Sequence, residues 1–170
     1  GALGWGRSLE RYAYRLATRI VGIEEGCLGS LLQQGVDASK VAVIPDWADL
    51  DRIRPLEPDA DARARAGASE GDFLVLHAGN MGQKQGLANA VEAAALSSPQ
   101  TRLGLMGDGA QRAVLQAMVD ERQLTNVRLL PLQSAAEFPR YLAAADTLLL
   151  NQRAGVFDSV APSKLLTDMS

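Results

Sequence analysis

From residue 73 onward the chain keeps a rhythm that few folds can satisfy. Four continuous apolar runs, Phe73–His77, Arg102–Met106, Val127–Leu130 and Thr147–Leu150, alternate with segments of helical character over 85–97, 110–122 and about 134–144. Leu87, Val91, Ala94 and Ala95 in the first segment, and Val114, Leu115, Met118 and Val119 in the second, recur at helical spacing and predict an inward face. Ser134, with Glu137 three residues later, reads as a capping box at the head of the third. Strands alternating with helices require crossover connections, so the sequence predicts an α/β fold with a parallel sheet and flanking helices. Runs that are mostly apolar suit strands covered on both faces.

The first 71 residues read differently. Trp5, Leu9, Tyr12 and Leu16 make one apolar face of an opening helix, and Arg7, Arg11 and Arg15 form a second stripe. Residues 1–20 carry a charge of +3 within a chain of net charge −3, which leaves −6 on the other 150. Arg19–Ile23 predicts a buried strand, and Glu24 and Glu25 open a second helix whose inner face is Leu28, Leu31 and Leu32. Gly35 is placed to end that helix, and Val41–Ile44 predicts a strand stopped by Pro45. The Asp- and Pro-bearing stretch 46–71 is a connector with one short helix near 60–66, and it sets a domain boundary at Pro45–Asp46. A loop to Ala161 leads into a last helix near 163–169. The chain lacks an initiator Met and stops inside that helix, where a further strand is the expected continuation. It is therefore expected to be part of a longer protein, its second domain truncated at the C-terminus.

Several classes of function drop out on residue counts. Cys27 is the single cysteine and His77 the single histidine, which excludes an internal disulfide framework, a thiolate zinc site and a two-histidine metal site, so no metal site is expected. One cysteine fits a reducing, cytoplasmic compartment. A net negative charge argues against general nucleic-acid binding. No apolar run approaches the roughly 20 residues that span a bilayer, and the N-terminus lacks the pattern of a signal peptide. His77 ends a strand and reads as a packed core residue.

In wound α/β sheets ligands bind beyond the carboxyl ends of the strands. Three segments converge there: Gly79-Asn-Met-Gly-Gln-Lys-Gln-Gly86, Gly107-Asp-Gly109 and Pro131-Leu-Gln133. In the first, Gly79 and Gly82 let the backbone turn sharply and come close to a ligand. Free N–H groups and the dipole of the following helix favour an anion, typically phosphate, and Lys84 adds a mobile positive charge. The competing structural reading is a tight turn and nothing more. Gly79-x-x-Gly82-x-x-x-Gly86 with Asp108 beyond the next strand also resembles a dinucleotide fingerprint, which keeps a nicotinamide-dependent oxidoreductase as a lesser alternative.

Taken together, Val41-Ala-Val-Ile-Pro-Asp-Trp-Ala-Asp49, Leu76-His-Ala-Gly-Asn-Met-Gly82 with Gln85-Gly86, Met106-Gly-Asp-Gly109, Ala143-Ala-Ala-Asp146 and Ala161-Pro-Ser-Lys-Leu-Leu166 resemble the retaining glycosyltransferases of the GT-B fold, family GT4. The likeness extends over nearly the whole chain in order and separation, and is greatest to bacterial members that build exopolysaccharide, capsule or O-antigen. It implies Rossmann-like domains, residues 1–45 being the end of the acceptor-side domain and 46–170 an incomplete donor domain. The implied substrate is a nucleotide-diphosphate sugar, and the implied acceptor a glycan or polyprenyl-linked sugar, with retention of configuration and no metal or other cofactor.

On this resemblance Gly79, Asn80 and Gly82 lie beside the donor phosphates, Gly107 also belongs to the donor site, and Lys84 neutralises the leaving diphosphate. Leu132 and Gln133 flank the base. Asp158, Ser163 and Lys164 approach sugar and phosphates, and Thr167 approaches the ribose. Asn80 stands where many members carry arginine, Gln85 where they carry lysine, and Thr167 where they carry glutamate. The resemblance leaves two neighbouring readings, the donor-binding half of a two-subunit transferase and a GT-B nucleotide-sugar epimerase. The Arg7, Arg11 and Arg15 stripe suggests peripheral contact with the anionic inner face of the plasma membrane. By itself the fragment is expected to be inactive.

Overall fold

The structure is a computed structural model that describes residues 2–23, 25–45, 47, 49, 51 and 53–154. The helix expected near 163–169 lies outside them. The chain gathers into two compact units, one built on Gly1–Trp47 and one on Ala48–Val156.

In the first unit, α1 (Ala2–Leu16) is followed by β1 (Ile20–Gly22), α2 (Glu25–Gln33), a 3-10 turn at Ala38–Lys40 and β2 (Val41–Val43). The two strands pair in parallel, Ile20 opposite Val41 and Gly22 opposite Val43. Lys40 Nζ donates to the carbonyls of Arg15 (3.1 Å) and Ala17 (3.2 Å), a cation set against the negative end of α1. Gly35 ends α2 as its sequence position suggests. At φ +83° it donates to Leu32 O while Val36 N–H reaches back to Leu31 O, the paired bonds of a Schellman closure. Leu31 and Val36 are buried, but Leu32 is 43% exposed and does not belong to the inner face. The apolar stripe of α1 is open to solvent, with Trp5, Leu9, Tyr12 and Leu16 all exposed.

The second unit contains α3 (Ala60–Arg65), β3 (Phe73–Ala78), α4 (Leu87–Ala95), β4 (Thr101–Met106), α5 (Arg112–Glu121), β5 (Val127–Leu130), α6 (Phe138–Ala144) and β6 (Thr147–Leu148). Its strands form one parallel sheet in the order β5-β4-β3-β6. Period-2 alternation along the strands sends side chains to both faces. Leu74, Leu76 and Ala78 join Ala62 of α3 and Tyr141 of α6. Leu103 and Leu105 join Val91 of α4, and Leu115 and Val119 of α5. Leu74, Leu76 and Leu105 are fully enclosed, each worth about 1.5–3 kcal/mol of burial.

Several boundaries differ from expectation for local reasons. A 3-10 turn at Gln83–Gln85 and Gly86 at φ +59° precede α4, so that helix starts at Leu87 and not at 85. Ala95 and Val114 face solvent, because only one stripe of each helix meets the sheet. Half of the capping box forms: Ser134 Oγ accepts the Glu137 N–H at 3.2 Å, in a turn that precedes α6. The Glu137 carboxylate instead engages Arg65 (2.8 Å) and Arg140 (2.6 Å). β6 is shorter than its apolar run, ending at Leu148.

Asp146, the last residue before β6, anchors that strand to the centre of the sheet. Its Oδ2 accepts the Leu74 N–H (2.6 Å) and a bond from Arg63 Nη2 (2.9 Å), while Arg63 Nη1 donates to Ala144 O (2.9 Å). Burial alone would raise the Asp146 pKa, but the Leu74 N–H and the Arg63 guanidinium outweigh it and hold the carboxyl below its usual range. Asp59 is likewise held low, first by the Ala62 N–H it caps at the head of α3 and then by Arg140 of α6.

Candidate functional site

The loops that follow β3, β4 and β5 meet at the carboxyl edge of the sheet, and the first two are pressed together through glycines. Gly79 (φ +154°) donates to Met106 O at 2.8 Å, and Gly107 (φ +145°) donates to Leu130 O at 3.2 Å. A Cβ on Gly107 would fall 1.9 Å from Gly79 O, and one on Gly109 would fall 2.6 Å from Asn80 Oδ1 and 2.7 Å from Met81 O. Only residues without a side chain let the two backbones approach this closely.

Met81 fixes the first turn from within. Its side chain is fully buried, its N–H donates to Asp108 O and its carbonyl accepts the Gln111 N–H, both at 2.8 Å. Arg112, at the start of α5, closes the arrangement: Nη1 donates to Gly107 O (2.7 Å) and Leu130 O (2.9 Å), tying the ends of β4 and β5. Sequence reading missed Arg112, although there was a signal. A cation in the first turn of a helix opposes the dipole, so its guanidinium needs a partner elsewhere.

The expected site residues are brought together unevenly. Asn80 has its amide between the turns, near both Gly82 and Gly109. Gly82 N–H is taken by Gln85 Oε1 at 3.1 Å, so a ligand must compete for it. Lys84 is exposed, and its carbonyl accepts the Arg153 N–H at 2.9 Å. Leu132 is 69% exposed beyond β5, and Gln133 Nε2 donates to Pro131 O at 2.9 Å. Asp158, Ser163, Lys164 and Thr167 lie outside the described residues. His77 is a core residue as read, 2% exposed with Nδ1 3.2 Å from Leu149 O. Asp108 is absorbed in its own turn, with Oδ1 accepting the Gly109 N–H at 2.8 Å, which disfavours a ribose-gripping role. Among the described residues, no group of three or more His, Cys, Asp or Glu is arranged to hold a metal ion, and no helix is long and apolar enough to cross a membrane.

A fourth loop, after β6, also reaches the glycine turn. Asn151 Nδ2 donates to the carbonyls of Gln85 (2.9 Å) and Gly86 (3.0 Å). The Arg153 stem lies against Gly86, where an added Cβ would meet Arg153 Cγ at 2.8 Å. Beside these residues is a cavity of about 380 Å³ whose lining includes Gly82, Gln83, Leu87, Asn89, Gln111 and Arg153. The signal for this loop was a polar triplet, Asn151-Gln152-Arg153, following an apolar strand at the edge where ligands gather.

Comparison with known proteins bears on this arrangement. Residues 59–160 match the model of the family described as glycosyl transferases group 1. The chain is 32% identical over 161 residues to the putative colanic acid biosynthesis glycosyl transferase WcaI of Escherichia coli K12, a match covering 93% of this chain and 40% of that protein. Among solved structures, Anabaena HepE in complex with UDP-glucose superposes with a TM-score of 0.72 at 21% identity, covering 89% of this chain and 44% of that one. WaaG, a glycosyltransferase involved in lipopolysaccharide biosynthesis, gives a TM-score of 0.71 at 19% identity over 89% of this chain and 41% of its own. The chain thus spans about two fifths of the length of the relatives it matches. At these identities the structural likenesses speak for the fold, which is the parallel α/β architecture predicted from the sequence.

Proposed function

This chain belongs to the glycosyl transferases group 1 family, and on that premise we propose that it forms the nucleotide-sugar-binding part of a transferase. The enzyme would move a sugar from a nucleotide-diphosphate donor to a glycan or polyprenyl-linked acceptor, with retention at the anomeric carbon. Residues 46–170 would hold the donor, and 1–45 would end the acceptor-side domain. The observation that carries this reading is the pair of interlocked glycine turns, in which Gly79, Gly82 and Gly107 bring two loops together at the carboxyl edge of the sheet and leave Asn80 exposed where a diphosphate can lie. The exposed Leu132 beside Gln133 offers an apolar surface for a base at the same edge. As the sugar–phosphate bond breaks, charge develops on the leaving diphosphate. The Lys84 cation and the exposed Asn80 amide would lower that barrier, at roughly 3 kcal/mol per well-placed donor, in a scheme that calls for no metal. Asp158, Ser163, Lys164 and Thr167 would complete the sugar, phosphate and ribose contacts.

Thermal-shift measurement with UDP, GDP and ADP sugars tests the reading, UDP-glucose first because HepE is seen with it. A ligand at about 100 times its dissociation constant adds roughly 2.7 kcal/mol, or about 5–10 °C in a domain this size. One nucleotide class should give that rise, and Lys84→Ala should shrink it. A flat response to all three would remove the donor-binding proposal.

The same reading sets the enzyme at the cytoplasmic face of the plasma membrane. In support, α1 exposes Trp5, Leu9, Tyr12 and Leu16 beside Arg11 and Arg15, the composition of an interfacial helix. With about 1 kcal/mol per charge near an anionic surface, neutralising Arg7, Arg11 and Arg15 together should cut partition onto anionic liposomes well over tenfold. Unchanged sedimentation with the vesicles would remove membrane contact from the reading.

A further inference from the structure

The cavity beside the first glycine turn has a cation that the family comparison does not assign. Arg153 is held at the cavity wall by two contacts of its own, its N–H on Lys84 O and its stem on Gly86, and its loop is tied to the same turn by the Asn151 amide on Gln85 O and Gly86 O. Its guanidinium pairs with no carboxylate among the described residues, and none of the lining residues is acidic. The other lining groups, Gln83, Asn89 and Gln111, carry amides that can donate. The Gln85 amide is occupied by Gly82 N–H, and Lys84 does not line the cavity. A positively charged recess of about 380 Å³ is larger than a single phosphate needs and suits an extended anion such as a diphosphate.

We infer that this recess is an anion site in which Arg153 is the principal cation, and that, resting on the donor reading above, the anion is the diphosphate of the nucleotide sugar. Arg153 is planar and forked, so it meets two phosphate oxygens at once where a lysine offers a point charge. In transfer, the bond from the anomeric carbon to the diphosphate oxygen breaks with its electron pair going to the diphosphate. The acceptor hydroxyl oxygen forms the new bond to that carbon and its proton passes to the departing diphosphate, and the guanidinium stabilises the phosphate charge without itself exchanging a proton. Gln111 donates its own backbone N–H to Met81 O, so this part of the cavity lining is fixed by the same turn that carries Gly79 and Gly82.

Calorimetric titration of the chain with inorganic pyrophosphate, UDP, GDP, ADP and uridine decides the matter, using Arg153→Gln, Arg153→Lys and Lys84→Ala. Arg153→Gln keeps part of the stem on Gly86 and the backbone bond to Lys84, so it should melt with the wild type. It should weaken pyrophosphate and UDP about tenfold or more while leaving uridine unchanged, and Arg153→Lys should recover part of the loss. Its loss should exceed that of Lys84→Ala. Equal affinities for UDP in wild type and Arg153→Gln overturn the inference and leave the donor reading standing. Pyrophosphate binding that depends on Arg153, without binding of any nucleoside diphosphate, keeps the anion site and overturns the donor reading. Binding of neither anion by the wild type overturns both.

Discussion

Gly107→Ala should destabilise the sheet-bearing unit by about 3–5 kcal/mol and abolish nucleotide binding. Two costs add. A residue with a Cβ forced into a positive-φ conformation loses about 1–3 kcal/mol, and crowding a packed site costs about 1–3 kcal/mol more. The crowding is severe here: the new methyl carbon would sit 1.9 Å from a backbone oxygen, Gly79 O, and no flexible side-chain end is there to swing aside. Relief requires the first two turns to part, which strains the Gly79 N–H bond to Met106 O and moves the backbone that would face the diphosphate. At about 2–4 °C per kcal/mol for a domain of this size, the melting temperature should fall by roughly 6–20 °C. A variant that melts within about 2 °C of the wild type, well short of that fall, would mean that the turns are not locked together as described.

Arg112→Met should cost about 2 kcal/mol and loosen the loops after β4 and β5. Each charged bond to a carbonyl is worth about 1.5–3 kcal/mol, and Arg112 makes two, to Gly107 O and Leu130 O. Partial solvent access discounts that sum, and removing a cation from the positive end of α5 returns about 0.3–1 kcal/mol. Methionine preserves the length of the stem beside Met81, so packing changes little. The measurement is amide hydrogen exchange. Faster exchange confined to the segments around Gly107–Gly109 and Pro131–Gln133 is expected, with a melting temperature lowered by roughly 5 °C. Unchanged exchange at both segments would show that the guanidinium carries no load there.

These two residues also mark the limit of what the chain discloses before it folds. The strands of the sheet were legible because each is a continuous apolar run between turn residues, and Gly35 was legible because helix ends select for a left-handed residue. The start of α4 was not. Its displacement from 85 to 87 comes from the Gln85 side chain bonding back to Gly82 N–H, a local choice that periodicity does not register. The glycines of the first two turns were visible as candidates, but their mutual contact was not, since Gly79 and Gly107 come together only when β3 and β4 pair. Lys84 was legible as a candidate cation because it lies within the glycine-rich segment, whereas Arg153 was not read at all. Arg153 is brought to the same segment from far along the chain by the pairing of β6 with β3, and no spacing rule connects them.

Met81 has a final consequence. Because its thioether is sealed among core side chains while its own amide and carbonyl are both engaged, the curve of backbone around it is cast during folding, before any visitor arrives. An incoming molecule meets a finished mould, and little of its attraction is consumed in freezing loose chain. Capture at this floor should then follow a single step whose speed rises in proportion to concentration, without a plateau set by an internal rearrangement.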